Sequence, residues 1–160
     1  GWQRSQRPYL GVIDADLSHD PAILPELIRG LREHDLMMGS RFGVTSRVEE
    51  WALHRKLISC LGVAMARALT GAEDPLSGYF VLRRQVLDAD FDLTSTGYKI
   101  LLEILVKGQY RTHRSIPYVF RNRQFSNSKL NWHEHLLFAK QILVFGGRRL
   151  ASGWRRGGRR

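Results

Sequence analysis

Two aspartates, Asp14 and Asp16, directly follow a short apolar run at residues 9–13. The run predicts a buried strand, and residues two apart on an extended segment point the same way. Both carboxylates can therefore converge on one hard cation. In open α/β sheets, ligands bind at the carboxyl ends of the strands, where this pair is expected to lie. The pair therefore indicates a site for a divalent cation.

Two other interpretations of the aspartate pair stay open. In the first, Asp16 only begins a turn and Asp14 caps it. In the second, the pair opens a phosphatase-type motif in which the first aspartate attacks phosphorus. That motif calls for Thr or Val where this chain has Ser18, and for a distant acidic pair. The weak candidates for such a pair are Asp88, Asp90 and Asp92.

Cationic side chains that could hold a phosphate follow the aspartates along the chain. Arg41 comes after a Gly-Ser step at a predicted strand end, where a loop can present a guanidinium to an oxyanion. Arg55 and Ser59 are four residues apart on a predicted helix, so they share a face. Arg123 and Lys129 lie in a polar segment after a strand. Each alone is more simply a surface residue, and the interest lies in the set and its order.

The elements that must position these side chains predict an α/β fold. A strand at 9–13, a helix opened by Asp20 and Pro21, and a strand at 36–38 indicate a parallel βαβ unit. A long amphipathic helix is predicted at 49–69, with Met65 among its inward residues and Gly71 just past its end. A turn-rich loop at 74–78, a strand at 79–82, a helix at 98–107, a strand through 116–120 and a last helix from Ser128 to residue 145 complete the pattern.

Composition limits the classes of protein. The 160 residues suit one domain, and 43% hydrophobic with 25% charged residues excludes overall disorder. A single cysteine, Cys60, excludes a disulfide framework. We expect no spanning helix and no signal peptide. The net charge of +10 is concentrated in residues 148–160, which hold six arginines. This tail predicts a disordered arm for nucleic acid or anionic lipid, with a plain solvated terminus as the alternative.

Six sequence segments, in this order, resemble the dolichol-phosphate mannosyltransferases of glycosyltransferase family 2: residues 12–19, 38–41, 69–71, 74–80, 97–104, and 116–118 with 128–130. The resemblance runs from about residue 11 to residue 145. It implies a GT-A fold, which is an α/β fold with a mostly parallel sheet and flanking helices. It also implies transfer of mannose, with inversion, from GDP-mannose to dolichyl or another polyprenyl phosphate. We expect such a protein to be peripheral, on the cytoplasmic side of a membrane, and to need no nucleic acid.

The resemblance also implies roles for individual residues. Asp14 and Asp16 would be catalytic, would hold Mg²⁺ or Mn²⁺, and would contact the donor diphosphate together with Arg123 and Lys129. The acceptor phosphate would be held by Arg41, Arg55 and Ser59. Asp74, Ser77 and Gly78 would support the loop at 74–78.

Several departures from the family leave alternatives open. Nothing before Gly11 resembles the family's first strand or its base-binding loop, so we expect residues 1–147 to be an amino-terminally incomplete domain followed by the tail. Such a domain is expected to be feebly active alone. Ser18 stands where some members have a polar amide, and Ser126-Asn127 replaces a Gly-Glu step. The alternatives are an inactive fragment, a basic-tailed module that binds nucleic acid or membranes, and a related transferase with a different sugar.

Overall fold

The computed structural model describes residues 5–42, 47–48, 53–87, 91–93, 99–121, 138 and 140–147, with the backbone alone for 47–48 and 53–61. Its strands are β1 (Tyr9–Val12), β2 (Leu36–Ser40), β3 (Arg47–Val48), β4 (Phe80–Arg83), β5 (His113–Pro117) and β6 (Val119–Phe120). Its helices are α1 (Leu24–Gly30), α2 (Leu53–Thr70), α3 (Ile100–Lys107) and α4 (residues 140–147). Two 3₁₀ turns, Pro21–Ile23 and Arg84–Val86, precede α1 and follow β4.

Four strands form a mixed sheet in the order β1-β4-β2-β5. Strand β4 is antiparallel to both of its neighbours, whereas β2 and β5 are parallel, from Leu36 opposite His113 to Ser40 opposite Pro117. Strands β1, β2 and β5 therefore run in one direction, as the predicted βαβ unit requires. The difference is that β1 and β2 are not adjacent, because β4 lies between them. Strands β3 and β6 form a separate parallel pair.

The sheet is covered by helices on both faces, which confirms the α/β class. Alternate residues of β2 point to opposite faces: Leu36 and Met38 belong to the core on the α3 side, and Met37 to the core on the α1 side. All five residues of β2 are buried. Full burial of one large apolar side chain contributes about 1.5–3 kcal/mol, so the central strands anchor the fold.

Two helix ends have the capping residues that the sequence predicts. Before α1, the Asp20 carboxylate accepts the backbone N–H of Ala22 at 2.9 Å, with Pro21 in the first helical position. After α2, Gly71 adopts a φ of 74° and donates its N–H to the Arg67 carbonyl at 2.8 Å. A left-handed φ favours glycine, so this residue ends the helix as expected.

Two predicted burial patterns are wrong. Strand β1 was expected to be buried, yet Tyr9 is 48% and Ile13 46% exposed, because β1 pairs only with β4 within the described sheet. On α2, Met65 was expected to face inward and is 38% exposed, while Val63 and Ala66 are buried instead. The start of the predicted helix at 49–52 and the tail at 148–160 lie outside the described residues.

No helix in the described part of the chain combines the length and apolar character needed to cross a membrane.

Candidate functional site

Four segments meet at one edge of the sheet. Asp14 follows the end of β1, Arg41 follows β2, and Tyr118 follows β5, and these three strands run in one direction. The loop at 74–78 precedes β4, which runs the opposite way, so this loop comes to the same edge. The carboxyl edge predicted from the sequence therefore brings together Asp14, Arg41 and the 74–78 loop.

The Asp14 carboxylate is held on one side and open on another. Its Oδ2 lies 3.2 Å from Nε2 of His19, while the side chain stays 45% exposed. The carboxylate also lies against the backbone of Gly78, where an added Cβ would come within 2.5 Å of Oδ2. A side chain at position 78 would therefore require the Asp14 carboxylate to shift from this position.

Asp16 organises a tight turn. Its Oδ1 accepts the backbone N–H of Ser18 at 3.1 Å and also the Ser18 hydroxyl. Between them, Leu17 has a φ of 63°, a left-handed conformation that few non-glycine residues adopt. Asp16 therefore begins a turn, as the first of the alternative interpretations expects. A carboxylate has about four lone-pair sites, so a carboxylate that accepts hydrogen bonds within a turn can also bind a cation.

His19 links Asp14 to Tyr118 and was not singled out from the sequence. Its side chain is only 2% exposed, and its Nδ1 lies 2.6 Å from the Tyr118 hydroxyl. The imidazole is surrounded by aromatic rings whose centroids lie 5.3 Å away for Tyr79, 5.6 Å for Tyr118 and 5.6 Å for Phe120. Burial raises the pKa of Tyr118 well above its ordinary value, against the opposing charge of Arg41. The phenol therefore keeps its proton and can donate it in a hydrogen bond.

Arg41 forms a buried ion pair with Asp74 that the sequence did not indicate. Nε donates to Oδ2 at 2.8 Å, Nη2 donates to Oδ1 at 2.9 Å, and the Arg41 backbone N–H donates to Oδ2 at 3.1 Å. Burial by itself lowers the pKa of Arg41, and the hydrogen bonds and charge of Asp74 outweigh it, so the pKa is raised. The guanidinium carbon also lies 5.7 Å from the Phe120 ring centroid.

The 74–78 loop is closed by its own hydrogen bonds. The Ser77 N–H donates to the Asp74 carbonyl at 3.1 Å. The Ser77 hydroxyl accepts the Tyr79 N–H at 3.1 Å and donates to the Tyr79 carbonyl at 3.3 Å. With Asp74 bound to Arg41 and Gly78 against Asp14, the loop connects the two halves of the site.

The remaining predicted residues are described only in part or not at all. Arg55 and Ser59 lie within α2, which confirms the helix that their spacing requires, and their side chains lie outside the described part. Arg123 and Lys129 lie outside it as well. Arg121, the last described residue before their segment, donates its N–H to the Ser18 carbonyl at 3.1 Å. Of the weak candidates for the acidic pair of a phosphatase, Asp88 and Asp90 also lie outside the described residues.

The side-chain atoms at this edge that could bind a metal are carboxylate oxygens, which suit a hard cation. Asp14 and Asp16 offer carboxylate oxygens at the sheet edge, Asp14 with partial exposure. Within the described residues, no group of three His, Cys, Asp or Glu side chains comes together as a ready metal site. Mg²⁺ commonly binds through one or two carboxylates and completes its shell with water and substrate phosphates. Two carboxylates that bind one cation together would therefore suit Mg²⁺ or Mn²⁺ with a phosphate ligand.

Comparison with known proteins finds similar chains that are named as mannosyltransferases. No family model matches the chain. It is 36% identical to a dolichol-phosphate mannosyltransferase of Pyrococcus furiosus over 81% of this chain and 38% of the relative. A dolichol-phosphate mannosyltransferase of Saccharomyces cerevisiae is 34% identical over 91% of this chain and 58% of its own length. An undecaprenyl-phosphate mannosyltransferase of Micrococcus luteus is 33% identical over 74% of this chain and 51% of its own length.

The chain spans about half the length of these curated relatives, between 38% and 58%. The matched stretch covers 74–91% of this chain. The resemblance inferred from the six sequence segments is therefore confirmed: over at least four-fifths of its length, this chain is similar to part of the dolichol-phosphate mannosyltransferases, which are glycosyltransferases.

Proposed function

We propose that this protein is a metal-dependent glycosyltransferase that moves mannose from GDP-mannose to a polyprenyl phosphate, with inversion at the anomeric carbon. The observation that carries the proposal is the similarity, at 33–36% identity over 74–91% of the chain, to proteins named as dolichol-phosphate and undecaprenyl-phosphate mannosyltransferases. The geometry at the carboxyl edge of the sheet supports it. Exposed carboxylate and buried guanidinium groups stand at one edge, as a reaction between two phosphate-bearing substrates requires.

The donor side is assigned to the aspartate loop, which is the segment of residues 13–20 between β1 and the 3₁₀ turn before α1. A bound Mg²⁺ or Mn²⁺ would be held by Asp14 and Asp16 and would neutralise charge on the departing diphosphate. Arg123 and Lys129 are assigned to the same diphosphate. In support of this, the N–H of Arg121, which is two residues before Arg123, donates to the Ser18 carbonyl within the aspartate loop.

The acceptor side needs positioning and charge more than proton transfer. A phosphate monoester oxygen is already anionic at neutral pH, so no strong general base is required. This oxygen bonds to the anomeric carbon while the bond from that carbon to the diphosphate breaks on the opposite face, which inverts the configuration. Arg41, Arg55 and Ser59 are assigned to hold the acceptor phosphate in line. A guanidinium has five N–H donors, and Asp74 occupies two of those on Arg41, which leaves others for a phosphate.

The direct test is a transfer assay on the full-length protein. GDP-mannose labelled in the sugar is offered with dolichyl phosphate or undecaprenyl phosphate, and the product is extracted into organic solvent. We expect labelled lipid with GDP-mannose and little or none with UDP-glucose or free mannose. Transfer from UDP-glucose in preference to GDP-mannose would replace the sugar in the proposal. No transfer from any nucleotide sugar, by a folded full-length protein with Mn²⁺ and Mg²⁺ present, would overturn the function.

We further propose that the protein binds an anionic membrane surface, where a lipid-linked acceptor resides. The arginines of residues 148–160 support this, since each basic residue near an anionic surface contributes about 1 kcal/mol. Flotation with vesicles of phosphatidylserine and phosphatidylcholine tests it: deleting residues 148–160 should reduce binding sharply, and pure phosphatidylcholine should bind little in either case. Unchanged flotation after the deletion would refute the role of the tail. Salt-dependent RNA binding that survives the deletion would favour a nucleic-acid module instead.

A further inference from the structure

A chain of hydrogen bonds runs from the protein interior to the exposed carboxylate of Asp14. It begins at the Tyr118 hydroxyl, passes 2.6 Å to Nδ1 of His19, and continues 3.2 Å from Nε2 to Oδ2 of Asp14. Tyr118 and His19 are buried, and Asp14 is 45% exposed. These hydrogen bonds connect segments that are far apart in sequence, since His19 and Tyr118 are separated by 99 residues.

The direction of these hydrogen bonds follows from their chemistry. An ionised carboxylate only accepts, so Nε2 of His19 must be the nitrogen that carries hydrogen toward Asp14. In a neutral imidazole Nδ1 is then an acceptor, and the Tyr118 hydroxyl donates to it. Each group thus fixes the orientation of the next. The aromatic rings of Tyr79 and Phe120, with centroids 5.3 and 5.6 Å from the imidazole, leave the ring little room to turn.

The carboxylate of Asp14 is also confined from the opposite element. The backbone of Gly78 comes so close that an added Cβ would lie 2.5 Å from Oδ2. Oδ2 therefore lies close to both the His19 imidazole, which hydrogen-bonds to it, and the Gly78 backbone. Groups that hydrogen-bond to a metal-binding side chain commonly set its orientation, and their loss costs about 10- to 100-fold in metal affinity.

We propose that His19 is a positioning residue for Asp14, oriented by Tyr118, and that it tunes the affinity of the donor site for its divalent cation. The inference rests on the proposed function, because it assumes that Asp14 holds this cation. A purely structural His19, one more ring in an aromatic cluster, would affect the stability of the fold without affecting cation affinity. The two roles are therefore separable by experiment.

The experiment measures Mn²⁺ affinity of the full-length protein by electron paramagnetic resonance of free Mn²⁺, with thermal unfolding as the check on folding. His19→Phe keeps an aromatic ring and removes the donor, His19→Gln keeps an amide donor, and Tyr118→Phe removes only the distal hydroxyl. We expect Mn²⁺ affinity about 10- to 100-fold weaker in His19→Phe, a smaller loss in Tyr118→Phe, and partial recovery in His19→Gln. In the transfer assay, the KM for Mn²⁺ should rise while kcat at saturating Mn²⁺ stays near wild type.

Two control variants distinguish a failure of the inference about His19 from a failure of the metal assignment to Asp14. Asp14→Asn removes the proposed ligand, and Asp20→Asn removes a carboxylate from the same loop while keeping a side chain that can cap the helix. Wild-type Mn²⁺ affinity in folded His19→Phe, with loss in Asp14→Asn, would overturn this inference and leave the proposed function standing. Wild-type affinity in Asp14→Asn would overturn the metal assignment and the inference together. If His19→Phe fails to fold, unchanged affinity in both Tyr118→Phe and His19→Gln would overturn the inference instead.

Discussion

The Arg41 guanidinium binds the Asp74 carboxylate through two parallel hydrogen bonds, from Nε to Oδ2 at 2.8 Å and from Nη2 to Oδ1 at 2.9 Å. The Asp74 side chain is fully buried, and that of Arg41 is 13% exposed. The pair ties the end of β2 to the loop before β4. The pair therefore holds in place the loop that packs Gly78 against Asp14. It also fixes the positively charged guanidinium of Arg41 at the edge that is assigned to phosphate.

Breaking this pair from one side should destabilise the fold strongly. In Asp74→Ala the Arg41 charge stays buried without its partner, which typically costs about 3–5 kcal/mol. Urea unfolding of the full-length protein measures the change in the free energy of unfolding. Glu73→Ala, at the neighbouring and more exposed position, is the control and should change it by no more than about 0.5 kcal/mol. If Asp74→Ala lowers the free energy of unfolding no more than Glu73→Ala does, the ion pair contributes little to stability.

Removing Arg55 should weaken acceptor binding and leave donor binding unchanged. A hydrogen bond to a charged group contributes about 1.5–3 kcal/mol, which corresponds to roughly a 10- to 150-fold rise in the KM for polyprenyl phosphate in Arg55→Ala. Lys56→Ala is the matched control, because adjacent residues of a helix point in different directions. An equal rise in the KM of Lys56→Ala would mean that general loss of positive charge, and no specific contact, is responsible.

Stability should fall as the solution becomes strongly basic, in part through Tyr110. Burial raises the pKa of Tyr110 to about 12, and its hydroxyl donates to the Leu105 carbonyl at 2.9 Å. The native state therefore holds this proton more tightly than the unfolded chain does. The resulting stabilisation is complete below pH 10, about where an unfolded tyrosine ionises, and is lost as the pH rises toward 12.

Urea unfolding between pH 9 and pH 12 tests this on wild type and on Tyr110→Phe. The wild-type free energy of unfolding should decrease more steeply with pH than that of Tyr110→Phe. Tyr9→Phe, which alters a half-exposed ring on β1, should keep the wild-type slope. Parallel curves for wild type and Tyr110→Phe would contradict the pKa assigned to Tyr110.

Local patterns were enough to predict the elements that position the site. The apolar run before Asp14, the Asp20-Pro21 helix start and Gly71 beyond α2 all act within a few residues, and each is where it was expected. The convergence of the aspartate loop with Arg41 also followed, since strands that run in one direction end at the same edge.

Contacts between distant segments could not be predicted in this way. His19 and Tyr118 are 99 residues apart, and Arg41 and Asp74 are 33 apart, so no spacing connects them. The insertion of antiparallel β4 between β1 and β2 is likewise decided by pairing between whole strands. The exposure of Tyr9 on β1 shows the same limit, because an apolar run does not reveal which neighbours its strand will have.

The measurement that tests the central claim most directly is mannose transfer by the full-length protein and its Asp16→Ala variant. With labelled GDP-mannose, dolichyl phosphate and Mn²⁺, we predict that Asp16→Ala lowers kcat/KM by about 10²-fold or more, as loss of a charge-stabilising group at the leaving group should. Asp20→Asn, in the same loop, should transfer at the wild-type rate. A correctly folded Asp16→Ala variant that transfers mannose as fast as wild type would contradict the assignment of the aspartate loop to the donor diphosphate.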